Sequence, residues 1–148
     1  MQSPIDFAEL VKAAGDAIVA CDAGGLITLW NPAAERIFGF SESEALGRSL
    51  DLIIPERQRQ RHWDGYHQTM RTGETRYATD VLRVPALHKD GRSLSIAFTV
   101  SLLASADGRP AAIAAIIRDE TVRWAEERKL RKELAELEAK LRKTNGVG

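Results

Sequence analysis

Apolar residues at helical spacing, followed by two β-rich runs, predict a helix and then a hairpin at the start of the chain. Apolar residues recur at helical spacing from Phe7 and end at Gly15, which predicts a short leading helix. Two β-rich runs follow at residues 17–21 and 26–30, and the turn sequence Asp22-Ala23-Gly24-Gly25 separates them. Strand-like runs on both sides of such a turn are typical of an antiparallel hairpin.

Two short helices are predicted after this hairpin. Asn31 is a typical N-cap residue, Pro32 suits the first helical position, and a glycine at position 39 ends the helix. Ser41 and Glu44 have the spacing of a capping box, which predicts another short helical turn.

A longer helix and three more strands complete the unit. Between Pro55 and Arg71, the residues Trp63, Tyr66 and Met70 form one apolar stripe at helical spacing, and Thr72-Gly73 ends the helix. Three strand-like segments come next, separated by turns rich in Asp and Gly: residues 76–84, 93–103 and 111–117. Five strands with helices inserted between the second and third predict an α+β domain with a five-stranded antiparallel sheet.

After Asp119 the composition changes to charged helix formers, without Gly or Pro before Gly146. Leucines here are spaced four, three and four residues apart, as on one side of a coiled coil: Leu130, Leu134, Leu137 and Leu141. We call these four leucines the seam. A helix this short is only marginally stable alone, so its seam needs a partner. The seam therefore predicts a homodimer, and packing of the helix on its own sheet is the alternative. The predicted boundaries are residues 1–15 for the leading helix, 16–119 for the α+β domain, 120–144 for the coiled coil and 145–148 for the tail.

Composition excludes several classes of function. The 148 residues include 21 basic and 21 acidic side chains, so no net charge attracts the chain to nucleic acid or to a membrane surface. The single cysteine, Cys21, forms no internal disulfide or cysteine cluster, and no apolar run suggests a signal peptide or a membrane span. A reducing, cytoplasmic setting is therefore expected.

Five motifs in order give the chain a resemblance to the PAS family of sensory domains. They are residues 31–40 (NPAAERIFGF), 44–47 (EALG), 54–57 (IPER), 88–91 (HKDG) and 118–121 (RDET). The resemblance covers roughly residues 7–121 and implies a sensory module with a pocket between sheet and helices. Asp119 and Thr121, where the last strand meets the final helix, can cap that helix and relay a change in the sheet.

His62 connects the chain with the haem-binding PAS domains of rhizobial oxygen-sensing kinases and of an enterobacterial phosphodiesterase. It lies seven residues after Pro55, and its spacing to Asp90-Gly91 matches theirs. The resemblance implies haem b held by His62, because a neutral imidazole from a helix is a good iron ligand. His67 and His88 are weaker candidates. The implied pocket walls are Ile53, Ile54, Tyr66, Leu82, Ile96, Phe98, Ile113 and Ile116, with Arg76 as a contact for a haem propionate.

Leu82 departs from the oxygen-sensing pattern. It stands where those sensors carry an arginine that bonds oxygen, and the neighbouring Arg83 is expected on the opposite face. If haem binds, carbon monoxide, nitric oxide or redox state is therefore a better signal than oxygen. A bulge near Pro85 would bring Arg83 back to the pocket face.

Other functions remain open at this point. The chain also fits a PAS domain that binds no cofactor, or an organic ligand, and acts in dimerisation and relay. Flavin photochemistry with a reactive cysteine is disfavoured, because residues 50–54 contain no cysteine. No catalytic motif is present, so the chain is expected not to be an enzyme, and catalysis would lie in a kinase, cyclase or other output partner. Whether the chain is a fragment, and what it senses, the sequence leaves undecided.

Overall fold

A computed structural model describes residues 4–146, except for the side chain of Arg76. The first three residues of the predicted leading helix and the last two of the predicted tail lie outside this range. The helices and strands, in chain order, are α1 (Phe7–Ala13), β1 (Ala17–Asp22), β2 (Ile27–Trp30), α2 (Pro32–Phe38), α3 (Glu42–Ala45), α4 (Arg59–Thr72), β3 (Leu82–Leu87), β4 (Ser93–Ala104), β5 (Pro110–Asp119) and α5 (Thr121–Asn145). Short 3-10 helices cover Leu50–Ile53, Glu56–Gln58 and Arg76–Ala78.

The described strands form one antiparallel sheet in the order β2-β1-β5-β4-β3. The α+β architecture expected from the sequence is confirmed, with the helices α2 to α4 inserted between β2 and β3. Because side chains alternate along a strand, directly paired residues share a face of the sheet. The inner face, which packs against α2 to α4, carries Val19, Ala86, Ile96 and Ile117.

The inner face is covered unequally. Toward β1 and β2 the side chains are fully buried, and Trp30 and Phe38 pack with their rings 5.5 Å apart. Toward β3 and the far ends of β4 and β5, several inner-face side chains are only half-buried: Leu82, Val84, Phe98, Val100, Leu102 and Ile113. The helices therefore seal one half of the sheet and leave the other half partly open.

Asn31 joins four parts of the fold. Its side-chain oxygen accepts hydrogen bonds from the backbone N–H groups of Ile18 and Ala34, at 2.9 and 3.1 Å. Its amide donates to the backbone carbonyls of Val11 and Asp16, at 2.9 and 3.1 Å. Asn31 thus caps α2, as predicted, and also ties α1 and the start of β1 to it.

Two predicted boundaries are wrong. The helix expected from Pro55 begins with a 3-10 turn, and α4 starts only at Arg59. The strand expected over residues 76–84 is a 3-10 helix at Arg76–Ala78, and β3 spans Leu82–Leu87. Pro85 lies inside β3, and since β3 is an edge strand its missing N–H breaks no ladder. Over the described residues, no helix is both long and apolar enough to cross a membrane.

Candidate ligand-binding site

Helix α4 carries His62 on the stripe that faces the sheet. Tyr66, one helical turn later, is only 7% exposed and belongs to the core, and Met70 packs against that core one turn further. Residues four apart lie on the same side of a helix, so His62 points inward with them. The Tyr66 hydroxyl donates a hydrogen bond to the backbone carbonyl of Asp22, which joins α4 to the end of β1.

The imidazole of His62 is half-buried, and its Nδ1 is buried without a hydrogen-bond partner among the described residues. Desolvation by burial lowers the pKa of His62 below its usual value of 6.5, which the charge of Asp51 opposes and the neighbouring His67 reinforces. The ring is therefore neutral at neutral pH. An unpartnered buried nitrogen of a neutral imidazole can accept a proton or coordinate a metal.

Two aromatic rings hold the imidazole. The Trp63 ring meets it nearly edge-on at 81°, with centroids 4.6 Å apart, and the Tyr66 ring lies at 5.9 Å. Trp63 is itself fixed, because its Nε1–H donates to Asp51 Oδ1 at 2.7 Å. Trp63 also packs on the β1–β2 turn, where a Cβ added to Gly25 would lie 2.3 Å from the indole ring.

The predicted pocket walls are brought together with one exception. Ile53, Ile54, Tyr66 and Ile96 are buried in the core, and the half-buried walls on the inner face are Leu82, Phe98 and Ile113. Ile116 is the exception. It pairs with Thr99 on the outer face of the sheet and is 47% exposed, so its assignment to the pocket is wrong. Strand alternation places Ile113 and Ile117 inward and Ile116 outward.

Leu82 lies on the inner face opposite Phe98, as strand alternation predicts. Arg83 lies on the outer face, where its Nε–H donates to Glu120 Oε2 at 3.3 Å. The register of β3 with β4 runs without a shift from Leu82 to Leu87, so the bulge considered near Pro85 is wrong. The pocket wall at this point is therefore an apolar side chain, and the neighbouring Arg83 is bonded on the opposite face.

The other predicted contacts are Arg76, His67 and His88. Arg76 lies in a 3-10 helix and not at the start of a strand, and its side chain is outside the described residues. His67 is exposed on α4, and His88 Nδ1 accepts a hydrogen bond from the Asp90 backbone N–H at 3.1 Å. Of the three histidines, His62 alone among the described side chains has a buried nitrogen left unpaired.

The β5–α5 joint, which we define as Asp119, Glu120 and Thr121, is held to β4. Asp119 Oδ1 accepts from the backbone N–H and from the hydroxyl of Thr121. The Ser95 backbone N–H donates to Thr121 Oγ1 at 3.0 Å, and the Glu120 N–H donates to the Ser95 carbonyl at 2.8 Å. Ser95, which is adjacent to the wall residue Ile96, thus bonds β4 to the first turn of α5.

The seam lies along α5 away from the domain. Its four leucines are 56–63% exposed: Leu130, Leu134, Leu137 and Leu141. Exposed leucines on one side of a 25-residue helix form an apolar stripe that a single chain leaves uncovered.

The remaining reactive groups among the described residues do not form a second candidate site. Cys21 lies on the inner face of β1, and burial raises the pKa of its thiol to about 12. It therefore stays protonated at neutral pH and is a poor nucleophile. In the part of the chain that the structure covers, no three His, Cys, Asp or Glu side chains cluster as metal ligands. A cleft of about 330 Å³ lies between the end of α4 and the β4–β5 turn, and His62 does not line it.

Sequence reasoning missed the partners of His62. Trp63 was recognised only as part of an apolar stripe, and Gly25 only as a turn residue, although a tryptophan beside the candidate ligand is a visible signal. Asp51 gave no signal, because it comes close to α4 only through the 3-10 helix Leu50–Ile53.

Comparison with protein-family models identifies the PAS fold over residues 5–119. Among characterised proteins, the chain is 34% identical over 91 residues to the sensor protein FixL of Bradyrhizobium diazoefficiens, covering 61% of this chain and 18% of FixL. It is 28% identical over 105 residues to the oxygen sensor protein DosP of Escherichia coli, covering 71% of this chain and 13% of DosP. The chain thus spans less than a fifth of either relative.

Solved structures show the same fold. A PAS domain from Colwellia psychrerythraea superposes with a TM-score of 0.68 at 22% identity, covering 78% of this chain and 94% of that one. An RNA-binding light-oxygen-voltage receptor superposes with a TM-score of 0.69 at 19% identity, covering 90% of this chain and 41% of that one.

Proposed function

Because the chain belongs to the PAS family, we propose that it is a sensory module that binds haem b through His62 and relays the state of that site to α5. The observation that carries the proposal is the buried, unpartnered Nδ1 of a neutral His62 on the inward side of α4. The similarity to FixL and to the oxygen sensor DosP supports it, because both are sensor proteins.

The residues present fit this group. Iron in haem accepts a nitrogen ligand, and a neutral imidazole supplies one without first losing a proton. The half-buried side chains Leu82, Phe98 and Ile113 offer an apolar face for a flat macrocycle on the partly open side of the sheet. When bound, haem would supply an iron centre that takes up a diatomic gas or changes oxidation state.

The walls favour some signals over others. Leu82 has no hydrogen-bond donor, and Arg83 is turned to the outer face and bonded to Glu120. A polarised oxygen ligand gains most from a donor, whereas carbon monoxide depends on one less. We therefore expect carbon monoxide, nitric oxide or redox state to be sensed in preference to oxygen.

The relay follows from the contacts of β4. This strand carries the walls Ile96 and Phe98, and Ser95 is bonded to the β5–α5 joint. A ligand that displaces the inner face of β4 therefore changes the position of the first turn of α5. Pairing of two seams would carry that change to an output domain or partner, and the module itself acts as a sensor and not as an enzyme.

Reconstitution with haemin tests the proposal. The wild-type protein is expected to give a Soret band, and His62→Ala is expected to abolish or strongly shift it. His67→Ala is the matched control, because His67 is an exposed histidine on the same helix. A band that is unchanged in His62→Ala, or absent from the wild type, would overturn haem binding through His62.

A second function is favoured by the packing of the walls. Ile53, Ile54 and Tyr66 belong to the buried core, so other side chains of the protein already cover these walls. This favours a PAS module that binds no cofactor and acts in dimerisation and relay. Native mass spectrometry of the purified protein separates the two functions, because only the first predicts a bound mass equal to that of haem.

A further inference from the structure

The ring of His62 packs against two aromatic side chains that contact each other and are anchored outside α4. Trp63 meets it on one side and Tyr66 contacts it from the next helical turn. Tyr66 is bonded to the carbonyl of Asp22, and Trp63 packs on Gly25. Both anchors belong to the turn between β1 and β2, which the chain reaches some forty residues before α4.

This turn is a rigid support. The N–H of Leu50 donates to the Gly25 carbonyl at 3.2 Å, and the Asp22 side chain accepts from the N–H groups of Gly24 and Leu26, both at 3.0 Å. Gly25 has a φ of 85°, a conformation in which glycine has no steric penalty. Its missing side chain leaves the space that the Trp63 ring fills, because a Cβ there would lie 2.3 Å from two ring carbons.

Asp51 fixes the ring from the opposite end. Its Oδ1 accepts a hydrogen bond from Trp63 Nε1–H at 2.7 Å. In the same segment, the backbone carbonyl of Ile54 accepts a hydrogen bond from Arg59 Nε–H at 3.0 Å. The indole is thus held by a hydrogen bond at its nitrogen and by contact with backbone at its six-membered ring. A side chain fixed at both ends limits the rotation of any ring packed against its face or edge.

We infer that Trp63 is a positioning residue for His62, held in place by Gly25 and Asp51 so that the imidazole keeps one orientation. The inference rests on the proposed function for its purpose, since orientation matters when the ring binds iron. Residues behind a metal ligand typically change metal affinity about 10- to 100-fold when they are replaced.

Two substitutions test the inference independently. Gly25→Ala places a methyl group inside the space of the indole, and its control is Gly91→Ala. Gly91 has a φ of 91° and nothing within 4 Å of an added Cβ, so that variant has the backbone strain without the collision. Trp63→Phe retains an aromatic ring without the N–H that Asp51 accepts, and it adds no backbone strain.

The first measurement needs no haem. In nuclear magnetic resonance spectra of the haem-free protein, the ring current of Trp63 displaces the carbon-bound proton signals of the His62 ring. Gly25→Ala and Trp63→Phe are expected to move these signals toward the values of a free histidine, and Gly91→Ala is not. Unfolding by urea, measured on each variant, shows whether the change follows overall stability.

The second measurement is the rate of haem transfer to excess apomyoglobin. It is expected to rise about 10-fold in Gly25→Ala and Trp63→Phe and to stay near the wild-type rate in Gly91→Ala. If both variants match Gly91→Ala in the His62 signals and in the transfer rate, the positioning role is refuted while His62 binding stands. If haem binds without dependence on His62, the proposed function fails, and the His62 signals still decide the positioning role.

Discussion

Replacing Asn31 with alanine is expected to destabilise the domain strongly, because one side chain serves four backbone groups. Asn31 is 2% exposed and is the only fully buried polar side chain among residues 4–146. Its oxygen accepts from the N–H groups of Ile18 and Ala34, and its amide donates to the carbonyls of Val11 and Asp16. Alanine would leave all four groups without their partner.

The magnitude follows from these four bonds. A buried hydrogen bond contributes roughly 1 kcal/mol net, and an orphaned partner costs about the same or more, so the expected loss is about 4 kcal/mol. That is a large share of the roughly 5–15 kcal/mol by which such domains are stable. Asn31→Asp is not a milder change, because it places a buried carboxylate oxygen against the carbonyls of Val11 and Asp16, which repel it.

Urea unfolding followed by circular dichroism measures the loss. Asn145→Ala, an exposed asparagine at the end of α5, is the control and should change the midpoint little. Hydrogen exchange should also quicken at Ile18 and at Ala34, whose N–H groups lose their acceptor. A loss below about 1 kcal/mol for Asn31→Ala would show that water or neighbouring groups replace these bonds, and the reasoning would be refuted.

Three further outcomes are expected. Thr121→Val should lower stability by about 1 kcal/mol and speed exchange of the Ser95 amide, while Thr121→Ser keeps the hydroxyl and restores both. Burial lowers the pKa of His62 in the folded protein below 6.5. As the pH falls, the unfolded chain therefore becomes protonated at this histidine before the folded protein does. Stability should therefore be unaffected by His62 above about pH 7 and fall as the pH drops below about 6.5, by at most about 1.4 kcal/mol per pH unit. Urea midpoints of the wild type and of His62→Gln at about pH 7.5 and about pH 5 check this, and equal slopes would contradict it. Leu134→Lys places a charge in the seam and should weaken self-association at least about 10-fold in sedimentation equilibrium. The control Ala135→Lys, beside the seam, should not weaken it. Equal dissociation constants for the two variants would exclude the seam as the interface.

The sequence was most informative where local chemistry decides the structure. Asn31 with Pro32 marks the start of α2, and the capping box of Ser41 and Glu44 is present as predicted. The resemblance placed Leu82 at the pocket wall, and strand alternation then put Arg83 on the opposite face, as the structure shows. These features depend on neighbouring residues only, so a pattern in the chain is sufficient to find them.

The misses share a different cause. Ile116 was assigned to the pocket because it is apolar, although it lies three residues after Ile113 and strand alternation puts the two on opposite faces. The register with β4 shows that Ile116 is the outward one. The start of β3 was set too early because Arg76–Ala78 has β-forming residues, although that segment folds as a 3-10 helix. Gly25 and Asp51 could not be identified as partners of Trp63, since the contacts join segments 38 and 12 residues away from it.

The two halves of the inner face differ in how firmly they are held and in what they are bonded to. Beneath β1 and β2 the core is sealed, and the turn between these strands holds Trp63 and Tyr66 on α4. Toward the start of β3 and the middle of β4, the walls Leu82 and Phe98 are half-buried although Ile96 is buried, and β4 is bonded through Ser95 to the β5–α5 joint. A ligand on the open side would therefore displace β4 more easily than α4, because the helix is anchored and the strand is connected to α5. The polarity of the proposed relay, from β4 to α5 with α4 as the fixed side, follows from these contacts.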